Sequence, residues 1–251
     1  MLQLQQVSLQ YLNKDKTPMW ALQDFSLSVE QGARLSVVGP SGCGKSSLLY
    51  LLAGLKFPTM GQVLFHGSPI TGPQTKTSLI LQDYGLFPWK TVYDNIALGL
   101  KLSGMDKAAI RKKVESIADE LGIREKLEQY PGELSGGQRQ RVAIGRALVQ
   151  EPEILLMDEP FGALDTLTQE KMDEMVLDLC RNKGLTLVMV THNIEEAVFL
   201  GERIAVFGQT PGVMNGILDN PGSGSSDYRD SEQFYKKCSE VRTRLGGGYE
   251  K

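Results

Sequence analysis

The chain has 251 residues and a mass of 27.7 kDa, which allows one large domain or a domain with an inserted lobe. Its 41% hydrophobic and 23% charged residues are typical of a globular protein, and a net charge of -3 argues against a nucleic-acid binder. No uncharged apolar run approaches the ~18 residues that span a bilayer, and the start MLQLQQVSLQ lacks the features of a signal peptide. We therefore expect a cytoplasmic product whose membrane contacts are made through partners.

The N-terminal third of the chain predicts strands around one glycine-rich loop. Apolar and polar residues roughly alternate over residues 2–9 and 22–29, which predicts two amphipathic strands joined by the polar residues 13–18. A short apolar run at 35–38 predicts a buried strand, and residues 45–52 predict the start of a helix.

Residues 39–46 between that strand and that helix read GPSGCGKS and match G-x-x-x-x-G-K-[ST]. Glycines in this loop let backbone N–H groups face an anion at the positive end of the helix. Lys45 would reach the β and γ phosphates of a nucleotide, and the Ser46 hydroxyl would bind Mg²⁺. A glycine-rich turn with a chance lysine is the alternative, which the spacing and flanks disfavour. The loop leaves the class open, since kinases, GTPases, helicases and transport ATPases share it.

The middle of the chain changes from strands to helices. Short strands are predicted at 61–66 and at 77–81, the second ending in Gln82, and residues 91–150 read as a helical lobe between Pro88 and Pro152. Within this lobe, residues 134–138 read LSGGQ and precede an amphipathic helix. Two glycines ahead of a helix expose backbone N–H groups, which predicts a second phosphate-facing helix end.

Beyond the lobe, an apolar strand at 154–158 ends in Asp158, with Glu159 next to it. Asp158 could hold Mg²⁺ near Ser46 and Glu159 could deprotonate water, whereas an isolated pair of this kind would only solvate a strand end. His192, after a strand predicted at 185–190, fits a sensor of the γ phosphate. Because strands alternate with helices, including one at 169–181, we expect a mostly parallel sheet covered by helices.

The C-terminal part carries weaker signals. The sequence PGSGSS at 221–226 predicts a flexible linker, and the terminal GGGYEK at 246–251 predicts disorder. Phe234, Cys238, Val241 and Leu245 lie on one face of a predicted final helix.

Nearly the whole chain resembles the nucleotide-binding subunits of ABC transporters, through the ordered motifs GPSGCGKSS, LILQD, LSGGQ, ILLMDEP, FGALD and VTH. The stretches QDYGLFPWKTVYDNIALGL, YPGELSGGQRQRVAIGRAL and DEPFGALD are similar to the bacterial importer branch for nitrate, sulfonate, taurine and related solutes. The resemblance implies an α/β fold, a P-loop NTPase (RecA-like) core with an N-terminal antiparallel β subdomain and an inserted α-helical subdomain. It implies a single domain over 1–251, with the core at 1–86 and 152–220, the helical subdomain at 87–151, and a linker and C-terminal helix at 221–251.

The resemblance also implies the cofactors ATP and Mg²⁺ and a set of site residues. Catalysis would rest on Glu159 as the base, His192 at the γ phosphate, Gln82 and Lys45, and the Mg²⁺ ligands would be Ser46, Gln82 and Asp158. Tyr11 would stack on the adenine, and Asp165 would contact the other subunit. The full set expected at the nucleotide is Tyr11, Gly39, Ser41, Gly42, Cys43, Gly44, Lys45, Ser46, Ser47, Ser135, Gly136, Gly137, Gln138 and Asp165, those of LSGGQ acting on ATP held by a second copy of the chain.

The implied function is an ATP-hydrolysing homodimer, peripheral on the inner face of the membrane, that powers solute uptake. Its partners would be transmembrane permease subunits and, indirectly, a solute-binding protein, with no nucleic acid. The alternatives are an ABC exporter subunit and a soluble ABC-type ATPase acting on nucleic acid or ribosomes, although the chain has no second cassette, coiled-coil insertion or basic arm. A small-molecule kinase has no use for LSGGQ, and a non-hydrolysing module would lack Glu159 or His192.

Overall fold

The computed structural model describes residues 1–12, 15–208 and 212–246. Its strands are β1 Leu2–Leu12, β2 Pro18–Val29, β3 Arg34–Val38, β4 Met60–Phe65, β5 Ser68–Pro69, β6 Thr77–Ile80, β7 Ile154–Asp158, β8 Thr186–Thr191, β9 Arg203–Phe207 and β10 Met214–Asp219. Its helices are α1 Lys45–Leu52, α2 Val92–Leu102, α3 Lys107–Glu120, α4 Gly136–Leu148, α5 Thr166–Lys183, α6 Ile194–Leu200 and α7 Glu232–Gly246. The start of the polar connection at 13–18 and most of the end predicted to be disordered lie outside the described residues.

The first sheet is antiparallel, with strand order β2-β1-β4-β5. In β1 the residues Leu2, Leu4, Val7 and Leu9 are buried, and the facing strand β2 buries Leu22, Phe25, Leu27 and Val29 in the same way. Alternation of apolar and polar residues places one face of each strand against the core. The two amphipathic strands predicted from the sequence are thus confirmed, and both are longer than the pattern indicates.

The second sheet has the order β10-β9-β3-β8-β7-β6 and forms the centre of the molecule. The strands from β9 to β6 are parallel, and only the edge strand β10 runs antiparallel to its neighbour. Every residue of β3, β7 and β8 is buried, as expected of parallel strands covered on both faces. The predicted mostly parallel sheet is confirmed.

Helices α2, α3 and α4 pack together through one cluster of buried apolar residues that includes Ile96, Val114 and Val142. Asn95 fixes the entrance to this lobe: its side-chain oxygen accepts from the Phe87 backbone N–H at 2.8 Å, and its amide nitrogen donates to Lys90 O at 3.1 Å. A fully buried amide with these partners holds the loop before α2 against the helices.

The segment 221–226 is not a flexible linker, which corrects the prediction from its glycines and serines. Ser223 is buried, and Arg34 Nη2 donates to its Oγ at 3.2 Å. Arg181 donates to Gly224 O, so the buried Arg34 and Arg181 of α5 both satisfy this turn. Glycine is favoured here because Gly224 has φ 86°, a left-handed conformation that residues with a Cβ rarely adopt. The following helix α7 buries Phe234, Cys238 and Val241, as its spacing predicts.

Parallel packing also brings the ends of several strands to one edge of the sheet. The glycine-rich loop follows β3, Gln82 follows β6, and Glu159 and His192 come directly after β7 and β8. Asp158 is the last residue of β7 and pairs in register with Val190 of β8. Ligands of open α/β sheets bind outside the carboxyl ends of the strands, so this edge is the candidate site.

Candidate functional site

The loop between β3 and α1 has a backbone that only glycine adopts at its two critical positions. Gly42 and Gly44 have φ angles of 78° and 100°. A Cβ at Gly44 would lie 2.2 Å from Ala21 O, and one at Gly39 would lie 2.7 Å from Phe207 Cβ. The chain therefore curls tightly into the N-terminus of α1, where free N–H groups and the helix dipole favour an anion.

Lys45 and Ser46 begin α1, and their side chains are held by short contacts. Lys45 Nζ donates to Gly39 O at 2.9 Å and to Pro40 O at 2.8 Å, and the residue is only 5% exposed. Ser46 Oγ donates to Asp158 Oδ1 at 3.2 Å. The ammonium group thus lies inside the loop, and the hydroxyl faces a carboxylate of the central sheet.

The environment of Asp158 suits a cation. Burial raises the pKa of this carboxyl, the hydrogen bond from Ser46 lowers it, and the adjacent Glu159 charge raises it again. A carboxylate oxygen and a hydroxyl oxygen are hard ligands of the kind that Mg²⁺ takes in nucleotide sites, where phosphates and water supply the rest. The donor set of Ser46 and Asp158 therefore fits Mg²⁺.

Glu159, directly after β7, contacts side chains from the segments after β6 and β8. Gln82 Nε2 donates to Glu159 Oε2 at 3.2 Å, and His192 Nδ1 lies 3.2 Å from the same oxygen. The backbone of Glu159 has φ 45°, a left-handed conformation, and its N–H donates to Val190 O at 2.8 Å. This turn points the side chain away from Asp158 toward the loops after β6 and β8, and the predicted neighbours Gln82 and His192 do converge on it.

A cleft of about 260 Å³ has Glu159 in its wall, together with the phosphate loop. Its wall contains Tyr11, whose hydroxyl is 3.2 Å from Ser47 Oγ and whose ring lies under Lys56 Nζ at 5.6 Å from the centroid. The described residues lining the cleft are Tyr11, Met19, Trp20, Ala21, Ser41, Gly42, Gly44, Lys45, Ser46, Ser47 and Glu159. Most of the residues predicted from the phosphate loop are thus brought to one cavity.

Met19 and Trp20 are cleft residues that sequence reasoning missed. They face Tyr11 and Gln10 across the first hairpin, so their place depends on the pairing of β1 with β2. Trp20 offers an aromatic ring in the wall of the same cleft as Tyr11, and the only signal in the sequence was an aromatic residue near the start of the second amphipathic strand.

Cys43 lines the loop but not the cleft among the described residues. Its side chain is 1% exposed, and burial raises the pKa of the thiol. It acts as a small apolar residue here, because a nucleophilic cysteine needs an exposed thiolate. Any contact of Cys43 with a nucleotide would come from its backbone.

The LSGGQ residues form the capped N-terminus of α4. Ser135 Oγ accepts from the Gln138 backbone N–H at 3.3 Å, and Gln138 Oε1 accepts from the Ser135 N–H at 2.9 Å, which is a capping box. A Cβ at Gly137 would lie 2.9 Å from Thr168 Cγ2, so this helix end packs closely on α5. Asp165 caps α5 by accepting from the Thr168 N–H at 3.0 Å. Hydrogen bonds from the Thr168 side chain and then from its backbone lower the pKa of the Asp165 carboxyl.

None of these LSGGQ residues, nor Asp165, is among the described residues that line the cleft. The structure therefore brings the phosphate loop, Glu159, Gln82 and His192 together within one chain, and leaves the second phosphate-facing helix end outside that cavity. Ser135 at this end is exposed.

A family model described as ABC transporter matches residues 22–162, more than half of the chain. The chain belongs to the ABC transporter family. It is similar to the aliphatic sulfonates import ATP-binding protein SsuB of Bacillus licheniformis, at 47% identity over 197 residues, which are 78% of this chain and 76% of that protein. It is also similar to the taurine import ATP-binding protein TauB of Roseobacter denitrificans, at 45% identity over 192 residues, 76% of this chain and 72% of that protein.

Among solved structures, the fold is similar to a dimeric, post-hydrolysis state of the ATP-binding cassette MJ0796 bound to ADP and Pi. The TM-score is 0.78 at 31% identity, over 87% of this chain and 98% of that one. The predicted P-loop NTPase fold, the ATPase activity and the resemblance to the sulfonate and taurine importer branch are thus confirmed. This ABC transporter subunit binds and hydrolyses ATP. Among the described residues, no helix has the length and apolar character needed to cross a membrane.

Proposed function

We propose that this ABC subunit powers the uptake of a small solute of the nitrate, sulfonate or taurine class through separate membrane subunits. Identity of 47% and 45% to sulfonate and taurine import subunits supports this assignment. The solute itself would be selected by other polypeptides, namely transmembrane permease subunits and a solute-binding protein. The chain would then work as a peripheral subunit on the inner face of the membrane.

The observation that carries the proposal is the convergence of Gln82 and His192 on Glu159, a residue that lines the same cleft as Lys45 and Ser46. Glu159 accepts the proton of the attacking water. The contacts of Gln82 and His192 with Glu159 Oε2 hold the carboxylate in position. His192 contacts the γ phosphate, and Lys45 stabilises its charge after leaving the two loop carbonyls.

The remaining cleft residues bind the nucleotide. Tyr11 stacks on the adenine, while the backbone N–H groups of the loop, with Ser41 and Ser47, hold the phosphates. Ser46, Asp158 and Gln82 would hold Mg²⁺, which would supply positive charge to neutralise the phosphates. Asp158 is already ordered for this role by the hydrogen bond from Ser46.

The second phosphate-facing helix end completes the site of a partner copy in a homodimer. Ser135, Gly136, Gly137 and Gln138 bind the ATP held by the other chain, and Asp165 contacts that chain. An exposed, capped helix N-terminus that does not line its own cleft supports this arrangement. ATP favours the closed dimer because its γ phosphate touches both chains, and hydrolysis removes that differential contact.

Closure is passed to the permease through the loop at 82–89 and the helical subdomain. The proposed division is a core at 1–86 and 152–220, a helical subdomain at 87–151, and a C-terminal region at 221–251. Arg146 of α4 donates to Tyr84 O at 2.7 Å and to Gly85 O at 2.6 Å, which ties the loop after Gln82 to the signature helix. Trp89 is 71% exposed and available for contact with the permease.

Reconstitution tests this function. The chain is assembled in liposomes with candidate permease and solute-binding subunits from the same organism, and ATPase activity and uptake of labelled nitrate, taurine and an alkanesulfonate are measured. We expect ATPase stimulation by the loaded binding protein and inward transport of one of these solutes. Stimulation by DNA or ribosomes would favour a soluble ABC-type ATPase instead, and outward transport would favour an exporter.

A further inference from the structure

Two buried acids near the cleft have no part in the function proposed above. Asp173 in α5 is 0% exposed and Glu196 in α6 is 2% exposed. Burial is the largest cause that raises the pKa of both carboxyls, and the charge of Asp173 raises that of Glu196 further. Buried acids are costly, so their contacts define what they stabilise.

Glu196 holds the turn that carries His192. The Thr191 hydroxyl donates to Glu196 Oε2, and the same hydroxyl accepts from the Asn193 backbone N–H at 3.0 Å. Asn193 Oδ1 in turn accepts from the Glu196 N–H at 3.3 Å. These hydrogen bonds join the residues on both sides of His192. The His192 side chain is 60% exposed, and its Nδ1 lies 3.2 Å from Glu159 Oε2. The position of the imidazole is therefore set mainly by this turn.

Arg229, from the C-terminal region, supplies the positive charge of the cluster. Its Nη2 donates to Asp173 Oδ2 at 2.5 Å, and its guanidinium carbon lies 4.1 Å from the centroid of the Phe199 ring in α6. The Arg229 charge lowers the pKa of both Asp173 and Glu196. One arginine thus bridges α5 and α6, the helices that follow Asp165 and His192.

The cluster has no redundancy in its hydrogen bonding. Asp173 Oδ1, Glu196 Oε1 and Arg229 Nε are buried without a hydrogen-bond partner in the described part of the chain. Arg229 Nη1 also lies 3.9 Å from Glu170 Oε1, and Arg229 is the cation shared by these acids. Removal of Arg229 therefore leaves the buried Asp173 and Glu196 uncompensated.

We propose that Glu196 is a positioning residue that acts on His192 through Thr191, and that Arg229 of the C-terminal region anchors it through the α5–α6 acid pair. The inference rests on the proposed role of His192. The region after residue 220 would then contribute to catalysis, because the Arg229 charge stabilises the turn that positions His192 at the γ phosphate.

ATP turnover by the full-length chain tests the link, with kcat and KM measured separately. We expect Glu196→Ala and Thr191→Val to lower kcat by about 10- to 100-fold with little change in KM, because a small displacement of a catalytic group has this effect. Glu196→Gln, which can still accept from Thr191, should retain most activity. Glu195→Ala, at an exposed neighbour in the same helix turn, is the matched control.

A double-mutant cycle separates positioning from general destabilisation. If Glu196 acts through His192, then Glu196→Ala combined with His192→Ala is no slower than His192→Ala alone. The inference would be overturned if the kcat losses of Glu196→Ala and His192→Ala multiplied in the double variant. A normal kcat for both Glu196→Ala and Thr191→Val, or kcat losses equal to the unfolded fraction measured in thermal melts, would overturn it too. A normal kcat for His192→Ala would instead remove the role of His192 in the proposed function, and the inference with it.

The anchor is tested in the same assay. Arg229→Met should lower kcat without adding to His192→Ala, and Arg229→Lys, which keeps the charge but loses the planar group over Phe199, should recover part of the loss. Arg242→Met, at an arginine of α7 that is 62% exposed, is the matched control. Normal turnover by folded Arg229→Met would overturn the part of the inference that concerns the C-terminal region.

Discussion

At the scale of residues, the adjacent acids Asp158 and Glu159 have different surroundings. Asp158 ends a buried strand at 6% exposure and faces the Ser46 hydroxyl. Glu159 leaves the strand with φ 45°, which turns its side chain toward Gln82 and His192. The environment of a carboxylate determines its role in acid and base chemistry. Here the surroundings of Asp158 favour a metal ligand, and those of Glu159 favour a general base.

Glu159→Gln is the residue-scale prediction. It should lower turnover by ~10² to 10⁴, the range for loss of a general base, while ATP binding persists because the phosphate loop is unchanged. ATPase rates and equilibrium binding of a fluorescent ATP analogue measure the two effects. Glu153→Gln, at an acid that pairs with His66 and Lys76, is the control. Near-normal turnover would exclude Glu159 as the base.

At the scale of elements, the decisive feature is that α4 begins outside the cleft of its own chain. Its capping box is local, so LSGGQ predicts a helix start from sequence alone. Which nucleotide that helix end faces is not a local property, and the shared site depends on a second chain. The signature motif and the phosphate loop must therefore be separable by mutation.

Ser135→Arg tests that separation. A bulky cation at this helix end should reduce ATPase activity by roughly 10² or more, because it displaces phosphate donors. Mixing with a Lys45→Ala chain should partly restore activity, since one of the two sites in the mixed dimer would be intact. Ser103→Arg, at an exposed serine that directly follows α2, is the control. Absence of any rescue would contradict the shared site.

Strand and helix bounds show where local patterns suffice. The sequence predicts the strand at 154–158 with the bounds observed for β7, and it predicts the start of a helix at 45–52, where α1 spans Lys45–Leu52. Nothing in the sequence assigned β10, which contains Gly216 at φ 135° and is defined by pairing with β9. Strand formation at such a segment depends on its neighbour more than on its own residues.

At the scale of the whole molecule, the C-terminal region belongs to the central core. Phe234 is 3% exposed and packs edge to face on Tyr228, with ring centroids 5.4 Å apart. We expect Phe234→Ala to lower the free energy of unfolding by about 3–5 kcal/mol, the range for a buried phenylalanine. Tyr235→Ala, at a 63% exposed neighbour, should cost about 0.5 kcal/mol or less.

Denaturant unfolding of both variants measures the difference. Equal costs for Phe234→Ala and Tyr235→Ala would contradict the packing of α7 on the core and would favour a detachable tail.

The sequence by itself determined the phosphate loop, the strand that ends in Asp158, the capped signature helix and the parallel sheet, because short motifs and periodicities encode local backbone geometry. Only the tertiary structure brought Gln82 and His192 to Glu159, placed Trp20 in the cleft and folded residues 221–226 against Arg34 and Arg181. These contacts join residues far apart in the chain, and glycine and serine in 221–226 carry the same local signal whether they form a flexible linker or a tightly packed turn.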